Sequence, residues 1–410
     1  MKPMFRSLLV RNYRLWAGCS MISNIGSWMQ RTAQDWLVLT ELTHHDAAAV
    51  GITMSLQFGP QVLLLGLTGY AADHFDRRKV LFCTQGLMGL LALGLGLLTL
   101  SGAAQLWQVY GFALALGCTA AFDTPARQTF VSDLVDEQDI GNAVALNSTS
   151  FNMARMVGPA LAGMIIAVAG TGWAFVLNAA SFVAVLVALH RLDVSQLHTN
   201  RERVAKRSGS LIAGLRYVWQ REDLRALMFT IFLISAFGLN FPIFISTMAV
   251  TAFHADAGGY GLLTTMMAVG SVCGALMAAG RDRPRLRWIY AGAIAFGVGC
   301  VIAALMPTYW LFGATLVLLG IAAQTITVST NSLVQLSTEP AMRGRVIAIL
   351  MAVLMGSTPV GAPFVGWIAN EFGPRWALGV AALSGFGGAL VGWRLWKKQR
   401  RTTMSAPVSS

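Results

Sequence analysis

The second half of this chain repeats the first half in apolar helices of membrane length. Gly158-Pro159-Ala160-Leu161-Ala162-Gly163 stands before Trp173-Ala174 at the same spacing as Gly361-Ala362-Pro363-Phe364-Val365-Gly366 before Trp376-Ala377. The two copies lie 203 residues apart (361 minus 158), half of the 410-residue length. The same shift pairs Leu116-Gly117 with Leu319-Gly320, Asp136 with Glu339, Gly141 with Gly344, and Ser181 with Ser384. Duplication of a whole helical bundle at such a distance is how parallel-repeat secondary transporters are built, with a binding site near the midplane between the halves.

A composition with 55% hydrophobic and only 12% charged residues excludes a set of soluble domains, which carry about twice that charge fraction. Apolar runs of about 20 residues recur, each long enough to cross a hydrocarbon layer of roughly 30 Å. Twelve are read, at about 15–39, 48–71, 79–100, 104–124, 143–168, 173–190, 226–250, 259–280, 286–306, 309–333, 345–369 and 376–396. The expected fold is therefore all-α and integral to the membrane. Residues 1–190 and 224–400 form two six-helix bundles, 191–223 a polar linker, and 401–410 a disordered tail. Within the linker, Leu211, Ile212, Leu215, Val218 and Trp219 recur at helical spacing, with Arg216 and Gln220 opposite. That pattern predicts a short amphipathic helix on the membrane surface.

The net charge of +12 suggests nucleic-acid binding in a soluble protein, but its placement argues otherwise. Lys and Arg gather in alternate loops, around Lys2 to Arg14, Arg77 to Lys79, Arg191 to Arg225, Arg281 to Arg287, Arg343 to Arg345 and Arg394 to Arg401. The intervening loops are nearly free of them, Arg375 excepted. This asymmetry predicts cytoplasmic termini and a cytoplasmic central loop, with the lipid bilayer rather than nucleic acid as the partner. The first segment is too long and polar for a cleaved signal peptide. Cys19, Cys83, Cys118, Cys273 and Cys300 all fall in apolar segments without paired spacing, so neither a disulfide framework nor a metal site is expected.

Between the second and third segments runs Gly69-Tyr70-Ala71-Ala72-Asp73-His74-Phe75-Asp76-Arg77-Arg78-Lys79. Gly69 permits close helix approach, Asp73 ends the helix, and an anion there is suited to bonding the N-terminus of a neighbouring helix. A plain basic turn accounts for Arg77, Arg78 and Lys79 but not for Gly69 and Asp73. This stretch resembles the loop 2–3 signature of the major facilitator superfamily, although His74 and Asp76 depart from the usual basic residue and glycine. With the spans and the repeat, the resemblance covers essentially the whole chain. Gly158, Pro159 and Gly163 lie in a run similar to that superfamily's antiporter signature, with Ala154 and Ala162 replacing glycines. The similarity implies export by exchange, while close helix packing alone produces the same pattern. Trp36-Leu37-Val38-Leu39 and Ala121-Phe122-Asp123-Thr124-Pro125-Ala126-Arg127 resemble the subgroup that includes the enterobactin exporter and related multidrug exporters. In that resemblance Asp73, Arg77 and Asp123 form a gate cluster, with Arg78 and Arg127 beside it. A solvated helix end is the plainer account of Asp123.

Charges inside a membrane cost roughly 2.5–3.5 kcal/mol each and mark functional candidates. In the first segment Ser20, Asn24, Ser27, Arg31, Gln34 and Asp35 share one face at helical spacing, as expected of a helix bordering a wet cavity. Asp35 is read either as half of a self-neutralised pair with Arg31 or as a proton carrier. Arg155, Asn152 and Ser148 share a face of the fifth segment. In the second half the positions matching Arg155 and Arg127 are Thr358 and Thr330, so its cavity is expected to be neutral: Asn240, Phe237, Gln324 and Asn331, together with Ser235, Thr325 and Thr327. Phe237, Phe241 and Phe244 line an apolar wall there or face lipid.

The reading is a proton-coupled exporter of small amphipathic, drug- or siderophore-like molecules in a bacterial plasma membrane. Alternatives are a proton-coupled metabolite importer and a lipid-handling flippase. Two mid-membrane arginines against one carboxylate suggest anionic or polyphenolic cargo. A monomer without cofactors is expected. No phosphate-binding Gly-x-x-x-x-Gly-Lys-Ser/Thr loop occurs, and an enzyme would need a constellation for which His44-His45-Asp46 in an outer loop is the only near match. A hydrated turn is the simpler account of that triplet.

Overall fold

The computed structural model describes residues 5–197, 211–279, 286–340 and 342–404. All regular structure among them is helical. The first part contains α1 (Arg11–Trp36), α2 (Ala47–Leu63), α3 (Leu65–His74), α4 (Arg77–Leu100), α5 (Leu106–Asp133), α6 (Ile140–Ala169) and α7 (Thr171–Arg191). Then come α8 (Leu211–Gln220), α9 (Glu222–Leu233), α10 (Phe241–Thr247), α11 (Ala257–Ala279), α12 (Leu286–Leu305), α13 (Tyr309–Ser337), α14 (Arg343–Phe372) and α15 (Pro374–Met404). Among the described residues nine helical runs are long and apolar enough to cross a membrane. The expected segments at about 15–39, 48–71 and 104–124 coincide with helices outside those nine.

The sequence repeat reappears as a repeat of helix ends. α6 and α14 are each 30 residues long and begin 203 residues apart. Each is followed by a left-handed glycine, Gly170 at φ 92° and Gly373 at φ 95°. A residue with a Cβ is strained in that conformation, so both glycines end their helix and start the next within one residue.

Local chemistry sets the other boundaries. Asp46 accepts from the Ala48 and Ala49 amides and caps α2, so the histidine triplet forms the turn before that helix. Asp76, where the superfamily pattern favours glycine, caps α4 through the Arg78 and Lys79 amides. The second expected segment is split at Leu64, four residues after Pro60. The seventh is split too. A π-turn at Ile234–Gly238 ends before Asn240, and α10 restarts with Pro242 in its first turn. α15 continues to Met404, and residues 405–410 of the expected tail lie outside the described residues.

The chain divides into two compact units: Met1–Ser208 with Ala249–Thr265, and Gly209–Met248 with Met266–Ser410. Beyond the expected bundle and the start of the expected linker, the first unit thus takes in one distant segment, 249–265. Backbone proximity explains the addition. A Cβ on Gly163 would lie 2.7 Å from the Ala257 carbonyl oxygen, and one on Gly261 would lie 2.6 Å from that of Pro159. Only small residues allow α6 and residues 257–261 to meet so closely. The core of the first unit gathers around Trp16, whose indole meets the Phe130 ring edge-on at 5.0 Å, with Tyr13, Leu81 and Val185 beside them.

Candidate functional site

In the first unit, α1 meets partners from α2, α5, α6 and α7. Gly158 lets α6 approach, since a Cβ there would lie 2.6 Å from that of Trp28 and 3.0 Å from the Ile25 carbonyl oxygen. Pro159 lies inside the same helix. Gly361 does the same in the second unit, where a Cβ would fall on the Ala236 carbonyl oxygen. The motif glycines 203 residues apart thus both seat the repeated helix against the first span of its own unit.

Arg31 is not paired with Asp35. Its guanidinium lies 5.3 Å from the Trp28 ring and 5.1 Å from the Phe58 ring, and no ion pair joins it to a carboxylate among the described residues. Aromatic faces offset part of the cost of holding a cation in a dry place without neutralising it. Trp28 in turn meets Phe151 of α6 edge-on at 5.8 Å. Arg155, one turn before Gly158, buries an amino nitrogen that has no hydrogen-bond partner. Asn152 donates to the Ser148 carbonyl at 2.9 Å in its own helix. Asp35 is buried and accepts from the Tyr260 hydroxyl at 3.4 Å, while the Tyr260 ring stacks on Trp36. Asp35 thus meets a tyrosine hydroxyl directly and receives no salt bridge from Arg31. Gln34 is buried with its amide nitrogen unpaired, as are the hydroxyls of Ser20 and Ser23. Unpaired buried polar atoms are rare, and three of them lie together on this helix.

The expected gate cluster is drawn differently. Arg77 pairs with Asp133, its amino group lying 2.6 Å and 2.8 Å from the two carboxylate oxygens, instead of with Asp123. Asp123 is buried and accepts from Thr84 at 2.8 Å, Gln85 at 2.6 Å and Arg127 at 3.1 Å. Arg127 reaches on to the Asn24 side-chain oxygen at 3.2 Å, tying the expected cavity face of α1 to α5. A solvated helix end does not describe Asp123. Arg78 donates to the Leu189 and His190 carbonyls and so closes the end of α7. Gly69 and Asp73 lie on α3, with side-chain surroundings outside the described residues.

Sequence reasoning missed Asp133, Thr84, Gln85 and Tyr260. Asp133 escaped because the fourth segment was ended at 124, whereas α5 continues for another nine residues. Thr84 and Gln85 sit four and five residues after Val80 on a helix read as uniformly apolar.

In the second unit, Asn240 is buried at the break before α10. Its amide nitrogen donates to the Ala236 carbonyl at 2.6 Å, and its side-chain oxygen is unpaired, as is the nearby Ser235 hydroxyl. Phe237 meets Phe364 edge-on at 5.8 Å. Phe241 and Phe244 line no open wall and face no lipid: both are buried, edge-on to each other at 6.0 Å, with Phe296 against Phe241. Gln324 is half-buried, and Asn331 accepts from Gln335 at 3.3 Å.

These features, two units with repeated helix ends and charged groups buried among membrane-length helices, are those of a carrier. The sequence pattern of a family described as transmembrane secretion effector, within the major facilitator superfamily, matches residues 5–407. The chain belongs to that family. It is a multi-pass membrane transporter and not an enzyme. It is similar to a staphyloferrin A transporter of Staphylococcus aureus (strain NCTC 8325 / PS 47), 26% identical over 86% of this chain and 88% of the relative. It is also similar to the enterobactin exporter EntS of Shigella flexneri, 25% identical over 87% of this chain and 84% of that protein. Among solved structures, the nucleoside transporter NupG superimposes with a TM-score of 0.71 over 94% of this chain and 99% of NupG, at 13% identity. An inward-facing bacterial homologue of the human lysosomal transporter Spinster gives 0.69 over 93% of this chain and 95% of that one, also at 13% identity. These two likenesses show the fold.

Proposed function

We propose that this transporter exports small anionic molecules rich in carboxylate or catechol groups, as siderophores are, in exchange for protons. The observation that carries the reading is the pair of half-buried guanidiniums that form no salt bridge among the described residues, Arg31 against two rings and Arg155 with an unpaired nitrogen. Guanidinium groups bind carboxylates and vicinal oxygens bidentately, and a ring-lined arginine also accepts an aryl face. A pump for cationic drugs would carry more acid in this place. The likeness to an enterobactin exporter favours export, and the likeness to a staphyloferrin A transporter favours the same class of cargo.

In this reading twelve spans form two six-helix bundles that expose a central site alternately to each side. Both termini face the cytoplasm of a bacterial inner membrane, as the alternate basic loops suggest. Asp35 carries the proton, and Asn24, Asp123 and Arg127 couple the cavity face of α1 to the gate end of α5. Asn240, Phe237, Gln324 and Asn331 supply neutral contacts to cargo from the second half. A proton shifts the population of states only through unequal affinity for them, and the carboxylate–tyrosine contact of Asp35 gives one state a reason to prefer the ionised acid.

The test is transport in proteoliposomes with an imposed pH gradient, using enterobactin and staphyloferrin A as trial cargo. Wild-type protein is expected to move at least one of them. Arg31→Ala and Arg155→Ala should each reduce the flux at least tenfold. Undiminished flux in both variants would remove the proposed cargo site.

A further inference from the structure

The second unit contains a groove that belongs to neither the proposed cargo path nor the proton path. It has a volume of about 660 Å³ and lies between α8, α9, the first half of α14 and the later part of α15. α8 is docked by its small and buried face. A Cβ on Gly214 would lie 2.9 Å from that of Arg345, and Val218 is buried. The other face is open, with Ile212 71% and Trp219 72% exposed.

The groove is chemically two-ended. At its rim stand Arg225, in the first turn of α9, and Arg394, ten residues before the end of α15, with Glu222 the one acid among the described lining residues. Among the described residues neither arginine has a carboxylate partner, whereas the adjacent Arg221 is held by Asp223 at 2.6 Å. Arg225 is steered toward the rim by donating to the Trp219 carbonyl at 3.3 Å, with its guanidinium 5.9 Å from the Trp219 ring. Four to seven residues further along α9, Phe229 and Phe232 continue the wall, joined by Val353 of α14. At 1.5 Å rise per residue these apolar groups lie roughly 6–10 Å deeper than Arg225.

A ligand fitting this place needs a negative head at the helix ends and a long apolar body beside membrane-spanning helices. We propose that the groove binds an anionic phospholipid, its phosphate between Arg225 and Arg394 and an acyl chain along Phe229, Phe232 and Val353. Net positive charge at the rim and an interfacial helix with an open apolar face both complement that one class of molecule. Bound lipid fastens α8 to α9 and α15 and so fixes the membrane end of the linker. The inference rests on the chain spanning a membrane and on nothing about cargo or protons.

The experiment uses the full-length protein in mild detergent and reads binding, not transport. Native mass spectrometry would titrate palmitoyl-oleoyl phosphatidylglycerol against the matching phosphatidylcholine. An arginine at a membrane surface is worth about fivefold in affinity for anionic lipid. Arg225→Gln should therefore weaken phosphatidylglycerol binding about fivefold, and the double variant with Arg394→Gln about thirtyfold. The lysine double variant should retain most of it, and phosphatidylcholine should bind weakly to every form. Equal affinity for the two lipids in wild type, or unchanged phosphatidylglycerol binding in the double variant, would overturn the assignment. So would displacement of the lipid by tail-less glycerol phosphate. If the double variant is not recovered folded, Arg394→Gln alone decides, because that side chain is exposed.

Discussion

The Tyr260 hydroxyl donates to a carboxylate oxygen of Asp35 across 3.4 Å, and the Tyr260 ring stacks on Trp36 with 6.0 Å between centroids. The contact joins α1 to the segment 249–265 inside the first unit. If Asp35 carries the proton, Asp35→Asn should abolish flux driven by a pH gradient while leaving cargo counterflow intact. Tyr260→Phe should lower the ratio of driven flux to counterflow by a few-fold, as expected for a long bond worth about 1 kcal/mol. Equal losses of both fluxes in Tyr260→Phe would instead make the tyrosine a packing residue.

Arg31 is held by geometry that lysine does not reproduce. Its planar cation faces two rings, and a compact ammonium loses both the stacking and the fork of donors. Arg31→Lys should weaken cargo binding about tenfold, near 1.4 kcal/mol, despite keeping the charge. Calorimetric titration of the purified protein measures this directly, and lysine binding cargo as well as arginine would assign the effect to charge alone.

Arg77 and Asp133 should be energetically coupled. Both oxygens of a nearly buried carboxylate face one guanidinium nitrogen, and the arginine is 21% exposed, so solvent screens part of the attraction. A double-mutant cycle with Arg77→Ala and Asp133→Ala, read by thermal unfolding in detergent, should give a coupling of about 1 kcal/mol. The corresponding cycle between Arg77 and Asp123 should give about zero.

The motif glycines predict steep structural costs. Gly361→Val places new atoms on the Ala236 carbonyl, so α14 must shift, and the loss should exceed about 3 kcal/mol. Gly170→Ala and Gly373→Ala meet open space but a left-handed backbone, costing about 1 kcal/mol each. Similar falls in melting temperature for these two would reflect their equivalence in the repeat.

Asp193, after the end of α7, accepts from the Ser195 hydroxyl at 2.6 Å and its amide at 3.0 Å, which holds its carboxyl below the usual range. A lowered carboxylate contributes stability that is present above its unfolded pKa of about 3.9 and is lost as pH falls through the lower folded value. Ser195→Ala should therefore change acid stability only. A pH profile of transport between about pH 5 and 8 should be the same with or without it.

Much of the scaffold could be read in the chain because its physics is local or periodic. The 203-residue repeat in the sequence returns as equal lengths of α6 and α14 and as Gly170 and Gly373 at their ends. The polar face of α1 was visible because six polar residues recur at helical spacing among apolar neighbours. What escaped was long-range or depended on helix ends. Asp133 lay beyond an end placed nine residues early, so Arg77 was given the wrong acid. Tyr260 is 225 residues from Asp35, and nothing local distinguishes it from an interfacial aromatic. Arg31 and Asp35 are four apart, the spacing of a helical ion pair, yet the guanidinium lies against Trp28 and Phe58 and forms no salt bridge to the carboxylate.

The ring-held Arg31 has an electrical consequence. Its positive charge is anchored by two neutral faces, so a hydrogen ion landing on Asp35 leaves the guanidinium where it is. If Asp35 takes up the proton, the local charge thus rises by one without any moving part, and the two arginines then face an incoming anion with less opposing charge.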